Sequence, residues 1–383
     1  MYYGLYVVYE FSVRNIDLSS GIAKKIFSQK ECLEKLPAEI NFYNPYEEKM
    51  GNKIFSFCRR LPFFGFFYSI NLDEDNIKKL DFVYIRKPWF IDFDTLNFLK
   101  NIKMINKKVK IIMEIPTFPY DYEIESYSLW PLLVKDKIVR HFLHNYVDRI
   151  VTYSNDKVIW GIDTIQISNG VQITEELLLT DAITYNGDDT LNIIAVSNLA
   201  FWHGYDRAVV GLYKYYKSGG KKNIKLHVVG EGRQLKKLKE MVSKFELQNN
   251  VIFYGKQNKK QLKKIYECCL IGLDSLGRHR SKVYYNSSLK SKEYLMKGLL
   301  VVSGVSNELD LYGKYKYYLR VPADESPIDF NDIISFYEIS CKGKKINEIR
   351  NEIIEFAKKN FLMDVVMNPV RDYIISSCSI SGF

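Results

Sequence analysis

Cysteine and histidine are few and scattered in this chain. The six cysteines, Cys32, Cys58, Cys268, Cys269, Cys341 and Cys378, show no C-x-x-C spacing and no neighbouring histidine set. That pattern excludes zinc-finger and dithiol-redox readings, and no metal ligand and no cofactor is assigned. Scattered thiols suit a reducing cytosol. No apolar run reaches the roughly 18–20 residues that a membrane-spanning helix needs, and no secretory signal is read ahead of Gly4. The expectation is a cytoplasmic protein, soluble or peripheral on the inner face of the cell membrane. No internal repeat of fixed short period is present, and no recognisable nucleic-acid-binding module, so nucleic acid is not an expected partner.

What is present is globular. With 383 residues, 47% of them hydrophobic and 26% charged, the chain can bury two cores in domains of roughly 150–200 residues each. The net charge of +10 favours anionic partners, which by charge alone could be nucleic acid, a lipid headgroup or a phosphorylated small molecule, although a solvated lysine-rich surface explains it equally.

Short apolar runs alternate with amphipathic stretches in the C-terminal half. Strands are predicted at Leu191–Val196, Ile224–Val229, Asn250–Tyr254, Leu270–Asp274, Leu299–Ser303 and Tyr317–Val321, with helices at Asp206–Lys217, Gln234–Phe245, Lys259–Glu267 and Ser288–Lys297. The N-terminal half repeats the theme with strands at Tyr3–Tyr9, Phe82–Arg86, Val109–Ile115 and Arg149–Tyr153 and helices at Gly21–Leu36 and Phe93–Ile105. Strict alternation predicts an α/β chain of two Rossmann-like domains, each with a parallel sheet, facing across a cleft. The expected division is 1–168, an N-terminal Rossmann-like domain; 169–190, a hinge marked by Asn169-Gly170 and Asn186-Gly187; 191–360, a C-terminal Rossmann-like domain; and 361–383, a terminal helix crossing back to the first domain.

Glycine-rich turns carry the chemistry. Val229-Gly230-Glu231-Gly232 follows a strand and opens a helix, an arrangement that lets backbone N–H groups approach a phosphate or ribose; a tight structural turn explains it as well. It is not a dinucleotide fingerprint, since Leu235 replaces the third glycine. Read in order, Ser168-Asn169-Gly170-Val171, Trp202-His203-Gly204-Tyr205-Asp206-Arg207, Val229-Gly230-Glu231-Gly232, Val251-Ile252-Phe253-Tyr254-Gly255 and Leu289-Lys290-Ser291-Lys292-Glu293-Tyr294-Leu295-Met296-Lys297-Gly298 resemble the retaining GT-B glycosyltransferases of the bacterial "group 1" family. The resemblance covers about Ile167 to Ser303 well and the N-terminal half loosely, and it implies that 1–168 binds the acceptor and 191–360 the nucleotide sugar.

The resemblance implies that Glu293 binds the ribose hydroxyls of a nucleotide sugar. It also implies departures: Tyr285 stands where the family has a second glutamate, and Asn198 and His203 stand where it has the arginine and lysine that neutralise the diphosphate. The basic run Arg278-His279-Arg280 with Lys290 offers substitute charge for a leaving diphosphate. The candidate donor-binding set is therefore Gly21, Asn198, His203, Gly204, Gly230, Gly232, Lys256, Arg278, Arg280, Lys290 and Glu293. Gly21 belongs to the Ser19-Ser20-Gly21 turn, which is equally an ordinary helix N-cap.

In the first half, Met113-Glu114-Ile115-Pro116 ends a strand, and Glu114 and Asp121 are candidates to orient an acceptor hydroxyl or take its proton, with His203 a third catalytic candidate. A buried salt bridge for Glu114 and a turn cap for Asp121 are the alternatives. The run from Phe55 to Tyr68 joins Arg59 and Arg60 to a dense aromatic cluster, suited to an anionic membrane surface or to packing inside the domain. The expected function is transfer of a hexose-type unit from a nucleotide sugar to a glycan, lipid-linked in surface polysaccharide (capsule) assembly. By the resemblance it is retaining and metal-independent. A sugar-nucleotide epimerase on the same frame and a non-catalytic nucleotide-sugar-binding relative are the alternatives.

Overall fold

The computed structural model describes residues 1–14, 21–62, 64–65, 72–124, 126–172, 190–312 and 315–378. The chain divides into two compact units: Met1–Ser168 with Met363–Phe383, and Asn169–Leu362. The Ser19-Ser20 turn, Asn186-Gly187 and Phe66–Tyr68 lie outside the described residues.

The first unit holds β1 (Tyr2–Val7), β2 (Ala38–Tyr43), β3 (Phe82–Arg86), β4 (Lys110–Ile115), β5 (Arg149–Thr152), β6 (Val158–Ile159) and β7 (Ile162–Gln166). They form one sheet in the order β2-β1-β3-β4-β5-β7-β6, parallel except for the β6–β7 pair. Helices α1 (Gly21–Leu33), α2 (Lys53–Cys58), α3 (Glu74–Lys79), α4 (Phe93–Ile105) and α5 (Trp130–Val139) are interleaved with the strands. Every residue of β3 is buried, as a central strand covered on both faces requires. One face packs against Phe98, Leu99 and Ile102 of α4. The other packs Tyr6, Tyr84 and Ile112 against Ile26 and Leu33 of α1 and against Met363, Met367, Val370 and Ile374. Helix α4 starts where it does because the Asp92 carboxylate accepts the Thr95 N–H at 3.1 Å.

The second unit holds β8 (Thr190–Val196), β9 (Asn223–Val229), β10 (Val251–Gly255), β11 (Ile271–Leu273), β12 (Leu300–Ser303) and β13 (Tyr318–Arg320), in the order β10-β9-β8-β11-β12-β13. All its pairings are parallel. Helices α6 (Tyr205–Lys217), α7 (Leu235–Lys244), α8 (Lys259–Cys268), α9 (Leu289–Met296), α10 (Phe330–Cys341) and α11 (Ile346–Phe361) lie between and after the strands. Two short helices, α12 (Met363–Val366) and α13 (Asn368–Cys378), return to the first unit. Pro369 sits in the first turn of α13, where its missing N–H costs nothing. The α/β class and the parallel sheets agree with the alternation in sequence.

One buried charge network organises the first sheet. Arg86 and Glu114 are register partners on β3 and β4, and Arg86 Nη1 donates to Glu114 Oε1 at 2.7 Å. Gln29, Tyr84 and Tyr153 donate to the same carboxylate at 2.8, 2.9 and 3.0 Å, and Lys25 Nζ lies 3.4 Å away. The cations and these donors overcome burial and lower the Glu114 pKa to about 2. A carboxyl held below its unfolded value stabilises the fold above about pH 4.5, and that stability is lost as pH falls from there through about 2; the shift corresponds to about 3 kcal/mol. Unfolding free energy measured by denaturant across pH 2–7 should therefore fall less steeply with acid in Glu114→Gln than in the native chain. Glu114→Ala, which strands buried Lys25 and leaves Arg86 with Glu10 as its remaining carboxylate, should cost about 3–5 kcal/mol at pH 7.

Candidate functional site

The strand order of the second unit reverses between β8 and β11. In an open parallel sheet, ligands bind outside the carboxyl ends of the strands that flank such a reversal. Here the loop after β8 and the loop after β11 touch through their backbones, for the Leu276 N–H donates to the His203 carbonyl at 2.8 Å. Gly204 has φ 65°, and a Cβ on it would lie 2.5 Å from the Gly277 nitrogen, so only glycine allows this approach. On the other side, the Leu199 N–H donates to the Glu231 carbonyl at 2.8 Å. A Cβ on Gly230 would come within 1.9 Å of the Ser197 carbonyl oxygen. The glycines of the Gly230-Glu231-Gly232 turn thus seat that turn against the β8 loop.

Charge gathers on this frame. Lys290, in the first turn of α9, donates to Ser275 Oγ at 2.9 Å and stands 3.6 Å from the fully buried Asp274 carboxylate. Burial lowers its pKa to about 8; Asp274 opposes the shift and the Arg278 charge adds to it. The Arg278 guanidinium lies 5.7 Å from the centre of the Trp202 ring. Burial, then the Lys290 and Arg278 charges, push the His203 pKa far down, against a hydrogen bond with the Asn198 backbone. His203 is therefore neutral at pH 7. Its Nδ1 accepts the Ala200 N–H at 3.1 Å, and its ring stacks on Tyr205 with centroids 5.7 Å apart. Glu293 follows one turn after Lys290 on α9, half-buried, and its charge acts on Lys290 and Tyr266. The structure thus brings His203, Gly204, Arg278, Lys290 and Glu293 together as two cations and a carboxylate around a neutral imidazole, chemistry suited to a diphosphate joined to a polyol.

The other candidates lie elsewhere or are engaged. Arg280 reaches the Asp206 carboxylate at 2.9 and 3.1 Å, Glu325 at 2.8 and 2.6 Å and the Phe201 carbonyl at 2.9 Å. Asn198 is exposed at the end of the β8 loop, and Lys256 is exposed beyond β10, two strands from the reversal. Tyr285 is half-buried and bridges to Ser306. In the first unit, Gly21 opens α1, Glu114 is sealed in the network above, and Asp121 receives Arg140 at 2.7 and 3.1 Å.

Two contributors escaped the sequence reading. Arg207, buried, donates through Nη1 to the Leu276 carbonyl, through Nε to Ser326 at 2.7 Å and through Nη2 to Pro322 at 2.9 Å; its signal was adjacency to Gly204-Tyr205-Asp206. Lys292, fully buried and paired with Glu308, reads in sequence as an ordinary helix-surface charge. It anchors α9 from beneath.

Residues 184–272 match the family model described as "Glycosyl transferases group 1". No curated protein matches the chain significantly in sequence. Several solved structures match nearly all of it. A glycosyltransferase from Rickettsia africae ESF-5 is 14% identical, covering 100% of this chain and 99% of its own, with a TM-score of 0.61. A sucrose-phosphate synthase from Thermosynechococcus elongatus is 12% identical over 98% and 100%, TM-score 0.64. Anabaena HepE in complex with UDP is 12% identical over 98% and 100%, TM-score 0.60, and HepE is also solved with UDP-glucose. The fold is that of the GT-B glycosyltransferases, and the chain carries a glycosyltransferase group 1 segment.

If Lys290 and Arg278 form an anion seat, inorganic pyrophosphate should raise the melting temperature of the native chain. Lys290→Met should weaken pyrophosphate binding at least tenfold at pH 7, the loss of one charged hydrogen bond of about 1.5–3 kcal/mol. That difference should shrink as pH rises through about 8, where the native ammonium loses its proton. Calorimetric titration across pH 6.5–9.5 checks both.

Proposed function

We propose that the protein is a glycosyltransferase that moves a hexose-type unit from a nucleotide sugar to a glycan acceptor. The observation that carries this reading is the cluster of His203, Arg278, Lys290 and Glu293 at the strand reversal of the second unit. In this reading the Glu293 carboxylate accepts from two neighbouring ribose hydroxyls, while Lys290 and Arg278 hold the diphosphate and take up its developing charge as the glycosidic bond breaks. The neutral His203, its Nδ1 already occupied, shapes the seat. The leaving group is neutralised by these side chains without a divalent cation, and the configuration at the transferred carbon is retained, as the group 1 resemblance implies. Of the two carboxylates weighed for the acceptor hydroxyl, Asp121 keeps partial exposure, with its side chain 18% accessible against 0% for Glu114. A carboxyl held near pKa 2 is a weak base, so the acceptor role falls to Asp121. HepE complexes with UDP and UDP-glucose support a UDP-sugar as the first donor to try.

The acceptor is proposed to be lipid-linked, in surface polysaccharide assembly, with the first unit resting on an anionic membrane. The aromatic run from Phe55 divides: Phe55 packs inward on Tyr46, with ring centroids 5.3 Å apart, whereas Ile54, Phe57 and Leu61 are exposed beside exposed Lys53 and Arg60. Helix α5 adds Trp130, Val134 and Ile138 on one outward face, continued by Phe142 and accompanied by exposed Lys137. The two helices are tied together, since Lys135 Nζ, on the inner face of α5, donates to the Arg59 carbonyl at 2.7 Å. Exposed rings and cations in one patch suit a headgroup boundary.

A thermal-shift screen with UDP-, GDP-, dTDP- and CMP-sugars should find one donor class that stabilises the fold. Glu293→Ala should weaken that donor at least tenfold, about 1.4 kcal/mol, and free nucleoside diphosphate should appear only with acceptor present. Release without acceptor points to the epimerase reading, and binding without turnover to a non-catalytic relative. For the membrane, sedimentation with anionic vesicles should capture the native chain and lose most of it in the double variant Trp130→Ser, Ile138→Ser; equal capture of both sinks the docking surface.

A further inference from the structure

The second unit holds three side chains that the proposed transfer does not use. His227 lies in β9, Cys268 closes α8, and Cys269 leads towards β11. Sequence spacing gave no hint of a shared site, because the cysteines have no histidine near them along the chain. The parallel sheet supplies it, setting β9 beside β8 and β8 beside β11. One ligand atom from each of the three residues lies within 4.8 Å of the others. The two sulfurs are 4.0 Å apart.

That spacing is close to what a metal asks. With bonds of about 2.3 Å and tetrahedral angles, two thiolates on one Zn2+ stand about 3.8 Å apart. Neighbouring residues can converge in this way because the chain leaves its helix between them: Cys269 is extended, with φ −98° and ψ 149°. The imidazole is oriented from behind. Its Nε2 hydrogen-bonds Asn192 Oδ1 at 2.9 Å, and its Nδ1 hydrogen-bonds the Tyr254 hydroxyl at 2.9 Å. An amide oxygen that accepts from Nε2–H fixes the tautomer with the Nδ1 lone pair available, as outer-shell partners of metal-binding histidines do.

A buried cation stands beside the two cysteines, opposing the burial that holds the Cys269 thiol pKa well above its ordinary value. Arg350 is buried and donates through Nη2 to the Cys269 carbonyl at 2.7 Å, while its Nε and Nη1 find no hydrogen-bond partner among the described residues. A guanidinium placed there stabilises negative charge on the neighbouring sulfurs. Cys269 is fully buried and Cys268 half-buried, which leaves an entry path at one ligand.

We propose that His227, Cys268 and Cys269 form a binding site for a thiophilic cation, Zn2+ in the first instance, through Nδ1 and two thiolates. The Tyr254 hydroxyl gives up its hydrogen bond to Nδ1 and stands beside the fourth position, which it or a water fills. Binding releases both thiol protons to solvent, so the neutral Zn(Cys)2(His) unit replaces two thiols and an imidazole. The ion clips the end of α8 to β9 and leaves the strand reversal untouched.

The test is titration of the reduced, metal-free full-length chain with Co2+. One equivalent should produce a thiolate-to-metal charge-transfer band and intense tetrahedral d–d bands, displaced by one equivalent of Zn2+. Cys268→Ser and His227→Gln should each weaken binding at least tenfold, while Cys341→Ser leaves it unchanged. Zn2+ should raise the melting temperature of the native chain and not that of Cys268→Ser. Because His227 is buried, circular dichroism checks that each variant is folded, and half-exposed Cys268 supplies the variant least able to disturb packing. Absence of the stoichiometric Co2+ bands overturns the proposal. So does binding that survives both variants, which would be adventitious, or closure of the two thiols into a disulfide with no metal taken up under reducing conditions.

Discussion

Backbone contact between loops is the constraint on which the second unit depends. A parallel sheet fixes its strands through regular hydrogen bonds, yet the loops at the carboxyl ends have no ladder to hold them. Here the loops after β8, β9 and β11 hold one another, at Gly204 against Gly277 and at Gly230 against Ser197. Arg207 adds a buried guanidinium that ties the β11 loop to the carbonyls at 322 and 326. Side chains borne on such loops inherit the precision of the sheet, and that is what a site built from separate segments needs.

The two units treat buried charge in opposite ways. Around Glu114, a single carboxylate is saturated by two cations and three neutral donors, a closed network whose value is cohesion. Around Lys290, one buried carboxylate, Asp274, faces the lysine while the Arg278 charge repels it, and the lysine keeps part of its side chain, 20%, open to water. Burial and like charge lower the Lys290 pKa to about 8, against the pull of the Asp274 carboxylate and beside the Ser275 hydroxyl to which the ammonium donates.

Much of this frame could be read from residue order. The bounds expected for Phe82–Arg86 and Phe93–Ile105 coincide with β3 and α4, since the β-branched and aromatic run Phe82-Val83-Tyr84-Ile85 and an Asp92-capped amphipathic helix give strong local signals. Strands β2 and β7 went unread because Ala38–Tyr43 and Ile162–Gln166 are mostly half-buried or exposed, so neither shows the continuous apolar run of an interior strand. Helix α5 escaped as well: its outward face carries Trp130, Val134 and Ile138, and a helix apolar on both sides has no periodicity to detect. At the site, the glycine turns and the basic stretch were visible. The roles of Asp274, Arg207 and Lys292 were not, because buried charge is recognised only once its partner is placed, and each partner comes from a distant segment.

The first unit's core is finished by the last segment of the chain. Met363, Met367, Val370 and Ile374 complete the apolar layer that Tyr6, Tyr84 and Ile112 begin, whereas the second unit draws on one uninterrupted stretch, Asn169–Leu362. Order of synthesis and order of completion therefore run opposite ways: the half made first has that face covered by α1 alone until residues 363–378 have left the ribosome, while the half made second draws on nothing beyond its own stretch. A chain stopped short of these residues would leave its older half with an oily surface that chaperones must shield.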